Sequence, residues 1–114
     1  MCFKYIGAPR KLCQYVYVVP VLSGADIHGA IREAIHLAGN LTTGRRNAEV
    51  TLAFQGILVT VTCESRTDSI YQAWQRAKPG QAVGPIVSEA TLSRLRKEWQ
   101  EKNSPVPQQP VLLA

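Results

Sequence analysis

Between Val50 and Cys63, large apolar residues alternate with smaller ones on both sides of a Gln55–Gly56 pair. A period of two places successive side chains on opposite faces of a strand. Two residues are the length of a tight hairpin connection. Folding the chain at Gln55–Gly56 sets Phe54 opposite Ile57, Leu52 opposite Val59 and Val50 opposite Val61. All of these apolar side chains then share one face. A slip of one residue would turn one strand's apolar set to the other side, so the pattern specifies its own register. The opposite face, with Thr51, Ala53, Leu58, Thr60 and Thr62, has the mixed polarity of a partly solvated surface.

A hairpin alone is not a stable unit, so the rest of the chain must cover its apolar face. Cys13 to Leu22 is rich in β-branched and aromatic residues and nearly continuous in apolarity, which predicts a central strand. Pro20 cannot donate to a ladder, so regular pairing should end near Val19. Ser23 to Asp26 resembles a capping box with Ser23 as N-cap. Ile27, Ile31, Ala34, Ile35 and Ala38 then follow the spacing of an amphipathic helix, with Gly39–Asn40 as its left-handed end. A second helix is predicted from Ile70, Ala73, Trp74 and Ala77. Ser65 or Thr67 would cap it, and Lys78-Pro79-Gly80 would stop it.

Residues 1–11 read as an irregular arm and residues 79–87 as a Gly/Pro linker. Ser88 would cap a last helix with a stripe of Leu92, Leu95 and Trp99. Residues 104–114, with three prolines, favour an extended tail. The expected fold is therefore α+β: a two-layer βαββαα domain over residues 1–103, followed by the tail. Its sheet would be small, three-stranded and mostly antiparallel, with helices on one face.

With 114 residues, there is room for one core. Charged residues make up 18% of the chain and apolar residues 46%, which excludes a charge-driven disordered chain. The longest uncharged stretch, Leu12 to Ala25, is too short and too broken to span a bilayer. The N-terminal residues lack the pattern of a signal peptide. The three cysteines, Cys2, Cys13 and Cys63, form no C-x-x-C pair and are too sparse for a disulfide scaffold. This favours a reducing, cytoplasmic setting, with Cys13 and Cys63 as small buried hydrophobes.

The residues that could carry chemistry are scattered. His28 and His36 stand about 12 Å apart along a helix, too far to share a metal ion. They read as surface or boundary residues. No nucleophile elbow, zincin helix or phosphate-binding glycine loop occurs. Glu64, Asp68 and Glu89 each stand where a carboxylate stabilises a helix start. These absences predict no enzyme activity, no metal and no cofactor.

Two basic places remain. The loop Thr42 to Asn47 presents Arg45 and Arg46 beside a glycine, suited to gripping a phosphate or carboxylate. The last helix carries Arg94, Arg96, Lys97 and Lys102, interleaved with Glu98 and Glu101 as a solvated helix face would be. Tyr15, Tyr17 and Tyr71 are available for stacking, but no RNA-recognition aromatic motif or DNA-binding helix pattern accompanies them.

The expected function is a small binding protein without catalysis. The first expectation is a protein-binding adaptor or inhibitor, of the size phages and mobile elements encode, engaging a protein that could be a second copy of the chain. It would use the open sheet edge and the tail. The alternative is a nucleic-acid-associated accessory protein binding phosphates. The partner-contacting residues would come from Arg45, Arg46, Arg94, Lys97, Trp99 and Lys102. No membrane partner is expected.

Overall fold

The hairpin forms in the register its alternation specifies. The computed structural model describes residues 3–85, together with Ser93 and Lys97. Strand β3 (Glu49–Phe54) pairs antiparallel with β4 (Ile57–Val61), matching Val50 with Val61, Leu52 with Val59 and Phe54 with Ile57. Gln55 and Gly56 both take positive φ, 53° and 80°, as a type I′ turn requires. Val50, Leu52, Ile57, Val59 and Val61 are buried on one face, and Phe54 at the hairpin tip is half-buried.

The sheet is larger and more mixed than the sequence reading. Among the described residues it has five strands in sequential order, with β1 (Arg10–Cys13), β2 (Val16–Val18) and β5 (Ala82–Val83) added to the hairpin. β1 and β2 pair antiparallel, whereas β2 with β3, and β4 with β5, are parallel pairs. Helices α1 (Ile27–Leu41) and α2 (Thr67–Arg76) supply the crossovers that parallel neighbours need. The fold is thus two βαβ units joined through the β3–β4 hairpin.

Three expectations about strands are corrected here. The stretch from Cys13 is not one long strand, because Tyr15 adopts φ 71° and folds the chain back into the β1–β2 turn. Residues 1–11 are not merely an arm, since Arg10 and Lys11 belong to β1. The predicted linker contributes β5, which pairs with β4 at Leu58 and Val59. The strand around Val16 does end as expected. Val19 donates to Thr51 O at 3.0 Å, and Pro20 has no amide to continue the ladder.

Both helices cover the same sheet face. Ile27, Ile31, Ala34, Leu37 and Ala38 of α1, with Ile70 of α2, pack against Val19, Val50, Leu52, Val59 and Val61. The α1 cap is Asp26, whose carboxylate accepts from Gly29 N at 3.0 Å; Ser23 does not serve. The helix runs past Gly39–Asn40 to Leu41, where extended Thr42 donates its amide and its hydroxyl to Ala38 O. α2 starts after Arg66 without a side-chain cap; Ser65 Oγ instead accepts from Thr62 N. The N-terminal segment lies along α1. The amides of Lys4 and Tyr5 donate to the Glu33 carboxylate at 2.9 and 2.8 Å, and the Tyr5 ring occupies space that a side chain at Gly29 would need.

The second sheet face departs furthest from expectation. Thr51, Thr60 and Leu58, read as partly solvated, are 0%, 3% and 6% exposed. Val18 and Leu58 form a separate small cluster there, with Leu12 and Ala53 at its margin. Cys63, expected to be buried, is exposed.

Candidate functional site

The predicted Arg45–Arg46 turn is built by the end of α1. Thr42 Oγ1 donates to Ala38 O at 2.7 Å and accepts from Ala48 N at 3.0 Å, tying the helix end to the start of β3. Between these anchors an antiparallel bridge from Thr43 to Arg46 closes a tight turn over Gly44 and Arg45. Gly44 has φ 71°, a conformation that favours glycine. Both arginines are exposed, but their settings differ. Arg46 lies over the Tyr15 ring, its guanidinium carbon 4.9 Å from the centroid. Such stacking restrains the side chain and keeps its outer donors available.

Tyr15 connects this turn to the sheet edge. It forms the β1–β2 turn, and its carbonyl accepts from Glu49 N at 2.7 Å. Glu49 opens β3 on the second sheet face. Its Oε1 is shielded from solvent and accepts no hydrogen bond among the described residues. Burial pushes the Glu49 carboxyl above the ordinary carboxylate range, partly opposed by the positive charge of Arg46. The corner therefore combines a stacked arginine, an exposed arginine at a turn tip and a carboxylate held in an unfavourable environment. Its guanidinium donors are of the kind that pair with carboxylates and phosphates.

A second cluster lies between the helices. His28 and Asp68, both in the first turns of their helices, meet with Nε2 to Oδ1 at 3.0 Å. Tyr71 packs its ring edge-to-face with His28, 5.2 Å between centroids, and stacks on Trp74 at 5.9 Å. Trp74 reaches Phe54 at 5.6 Å and donates to Phe54 O at 3.4 Å. The Asp68 side chain is 86% exposed, so the pair marks a solvated helix junction and adds little to its stability. Among the described residues no group of three His, Cys, Asp or Glu could hold a metal ion. None of the helices there is long and apolar enough to cross a membrane.

Of the predicted contact residues, Arg45 and Arg46 are brought together and Lys97 is helical and exposed. Arg94, Trp99 and Lys102 lie outside the described residues. Sequence reasoning missed Tyr15 and Glu49 as neighbours of the turn. The alternating sign of Arg46 and Glu49 at the start of a strand was the available signal, but the positive φ of Tyr15 had none. It also missed the partnership of His28 with Asp68, which depends on how two helices cross. Comparison with protein-family models, curated proteins and solved structures found no match for this chain.

Proposed function

We propose that this chain is a small, non-catalytic binding protein that recognises an acidic segment of a protein partner. The observation that carries this reading is the Arg46–Tyr15 contact, which joins the basic turn to the hairpin at the sheet edge. β1 is an edge strand with exposed Arg10 and Lys11 and an irregularity between Lys11 and Cys13. Charges and bulges on an edge discourage indiscriminate strand pairing. Here they also give the edge the same sign as the Arg45–Arg46 turn, which suits an extended acidic peptide.

Charge distribution supports a protein over a nucleic acid. Residues 3–85 carry nine Lys and Arg against five Asp and Glu, spread over β1, α1, the turn and both ends of α2. Residues 86–114 carry four against three. A duplex or single strand is normally tracked by a continuous basic stripe.

Binding measurements on the wild type and on Arg45→Ala plus Arg46→Ala test the proposal. The wild type should not be retained on mixed DNA or RNA at low salt, and a protein captured by the wild type should be lost by the double variant. Retention on nucleic acid would overturn the reading. This holds especially if the slope of log affinity against log salt falls by up to about two in the double variant.

A further inference from the structure

We propose that the Arg45–Arg46 turn and the carboxylate of Glu49 form a proton-coupled anion site, in which an acidic group bound at the arginines is accompanied by a proton taken up from solvent at Glu49. The inference rests on the proposed reading of the turn as a site for acidic groups, and adds to it a direction of pH regulation.

The first support is that one residue, Tyr15, holds both partners. The Arg46 guanidinium carbon lies 4.9 Å from the centroid of its ring, and its carbonyl accepts from Glu49 N at 2.7 Å. The chain tightens this link. Arg46 closes its bridge with Thr43, Ala48 N is fixed to Thr42 Oγ1 at 3.0 Å, and only Asn47 and Ala48 separate Arg46 from Glu49. A stretch of three residues spans at most about 11 Å. An anion seated on Arg46 is therefore near enough to feel the charge of Glu49.

The second support is how little else balances that charge. Oε1 of Glu49 is shielded from solvent and accepts no hydrogen bond among the described residues. Val16, its register partner on β2, is apolar. Burial favours the neutral carboxyl, and the charge of Arg46 opposes it. The other charged or titratable groups on neighbouring elements are Arg45, the Tyr15 phenol, Arg10 of β1 opposite Val18, and exposed Cys63 and Glu64 beyond the end of β4. His28 and His36 belong to α1, which covers the other sheet face.

These two facts couple through charge. With the turn empty, Arg46 partly offsets an ionised Glu49. A bound anion neutralises that guanidinium, so an ionised Glu49 loses its offset and meets a like charge. Protonation relieves the conflict: one proton leaves the solvent, the carboxylate becomes a carboxyl, and no other bond is made or broken. A ligand that binds with proton uptake binds more tightly as pH falls, by linkage. Like unit charges about 10 Å apart change affinity roughly two- to fifteenfold, for effective dielectric constants from that of water down to about 20.

Inorganic sulfate is the probe, because it keeps both charges between pH 5 and pH 8, where carboxylate and phosphate probes begin to titrate themselves. Binding to the full chain is followed by NMR through the amides of residues 42–49 and the Arg46 side-chain N–H, at constant ionic strength. The wild-type dissociation constant should be at least about threefold lower at pH 5 than at pH 8. At pH 8, Glu49→Gln should bind sulfate at least about threefold more tightly than the wild type and lose most of the pH dependence. A change in net charge from the two histidines is common to both chains and cancels in that comparison. Calorimetry in buffers of different ionisation enthalpy should show a proton uptake by the wild type that Glu49→Gln lacks. Wild-type affinity that is flat with pH, or the same pH dependence in Glu49→Gln, would overturn this inference and leave the reading of the turn standing. Sulfate binding that survives Arg45→Ala plus Arg46→Ala, or no sulfate binding by the wild type, would overturn both.

Discussion

Thr51 and Thr60 face each other across β3 and β4 with their hydroxyl oxygens 3.0 Å apart, and both are buried. Replacing one of them by valine keeps the β-branched shape and removes one hydroxyl. The lost bond and the stranded partner cost about 1–3 kcal/mol. The methyl group gained in exchange returns about 0.8 kcal/mol. Thr51→Val and Thr60→Val should therefore each destabilise by roughly 0.5–2 kcal/mol. The double substitution removes both hydroxyls, leaves nothing unsatisfied and should lie within about 0.5 kcal/mol of the wild type. The coupling energy of the cycle is then about 1–4 kcal/mol.

Urea unfolding followed by far-ultraviolet circular dichroism measures this cycle. With a urea slope of about 2 kcal/mol/M, a loss of 1 kcal/mol moves the midpoint by about 0.5 M. Single variants as stable as the wild type would refute the reasoning, because a hydroxyl left alone would then be finding water. A double variant that costs the sum of the two singles would refute it differently, by showing that the two hydroxyls do not depend on one another.

Leu52→Ala removes a fully buried side chain at the centre of the sheet and should cost about 2–5 kcal/mol in the same assay. Asp26→Ala deprives Gly29 N of its acceptor at the start of α1 and should cost about 1 kcal/mol, with Asp26→Asn largely restoring stability. For Glu49 the expectation is a pH dependence. Burial raises its carboxyl in the folded chain, so the folded state holds that proton more tightly than the unfolded one. Its contribution to stability is complete below the unfolded value and is lost as pH rises through the folded value. Glu49→Gln should therefore gain stability over the wild type at pH 7, and the gain should shrink at pH 4; urea midpoints at the two values check it.

The hairpin was legible because its signal is local and redundant. A two-residue turn and three apolar pairs agree on one register, and a slip would break every pair at once. α1 was legible for the same reason, since Ile27, Ile31, Ala34 and Ala38 repeat a single spacing. Its boundaries were not, because Ser23 and Asp26 compete for the cap and only the path out of Val21 decides between them. β1 was hidden because Tyr15 makes a left-handed turn without glycine or asparagine, so a hairpin resembled one long strand. β5 was hidden because two residues carry no periodicity, and its pairing comes from the neighbouring β4 edge.

Half of the candidate site was legible. Arg45 and Arg46 announce themselves beside Gly44, since a glycine turn between a helix and a strand projects its neighbours outward. Their physical setting did not, because Tyr15 lies about 30 residues away in sequence and reaches Arg46 only once β2 and β3 pair in parallel. That pairing also explains why Glu49 is held in an unfavourable environment. Its register opposite Val16 fixes it on the second face, where shielded Oε1 has the charge of Arg46 nearby and no donor among the described residues. A carboxylate in that position weakens the fold at neutral pH, while exposed Arg46, whose charge partly offsets that burial, lies over the Tyr15 ring. The corner is therefore organised before any partner arrives. An anionic ligand would meet one arginine already placed, rather than two that must both be ordered on binding.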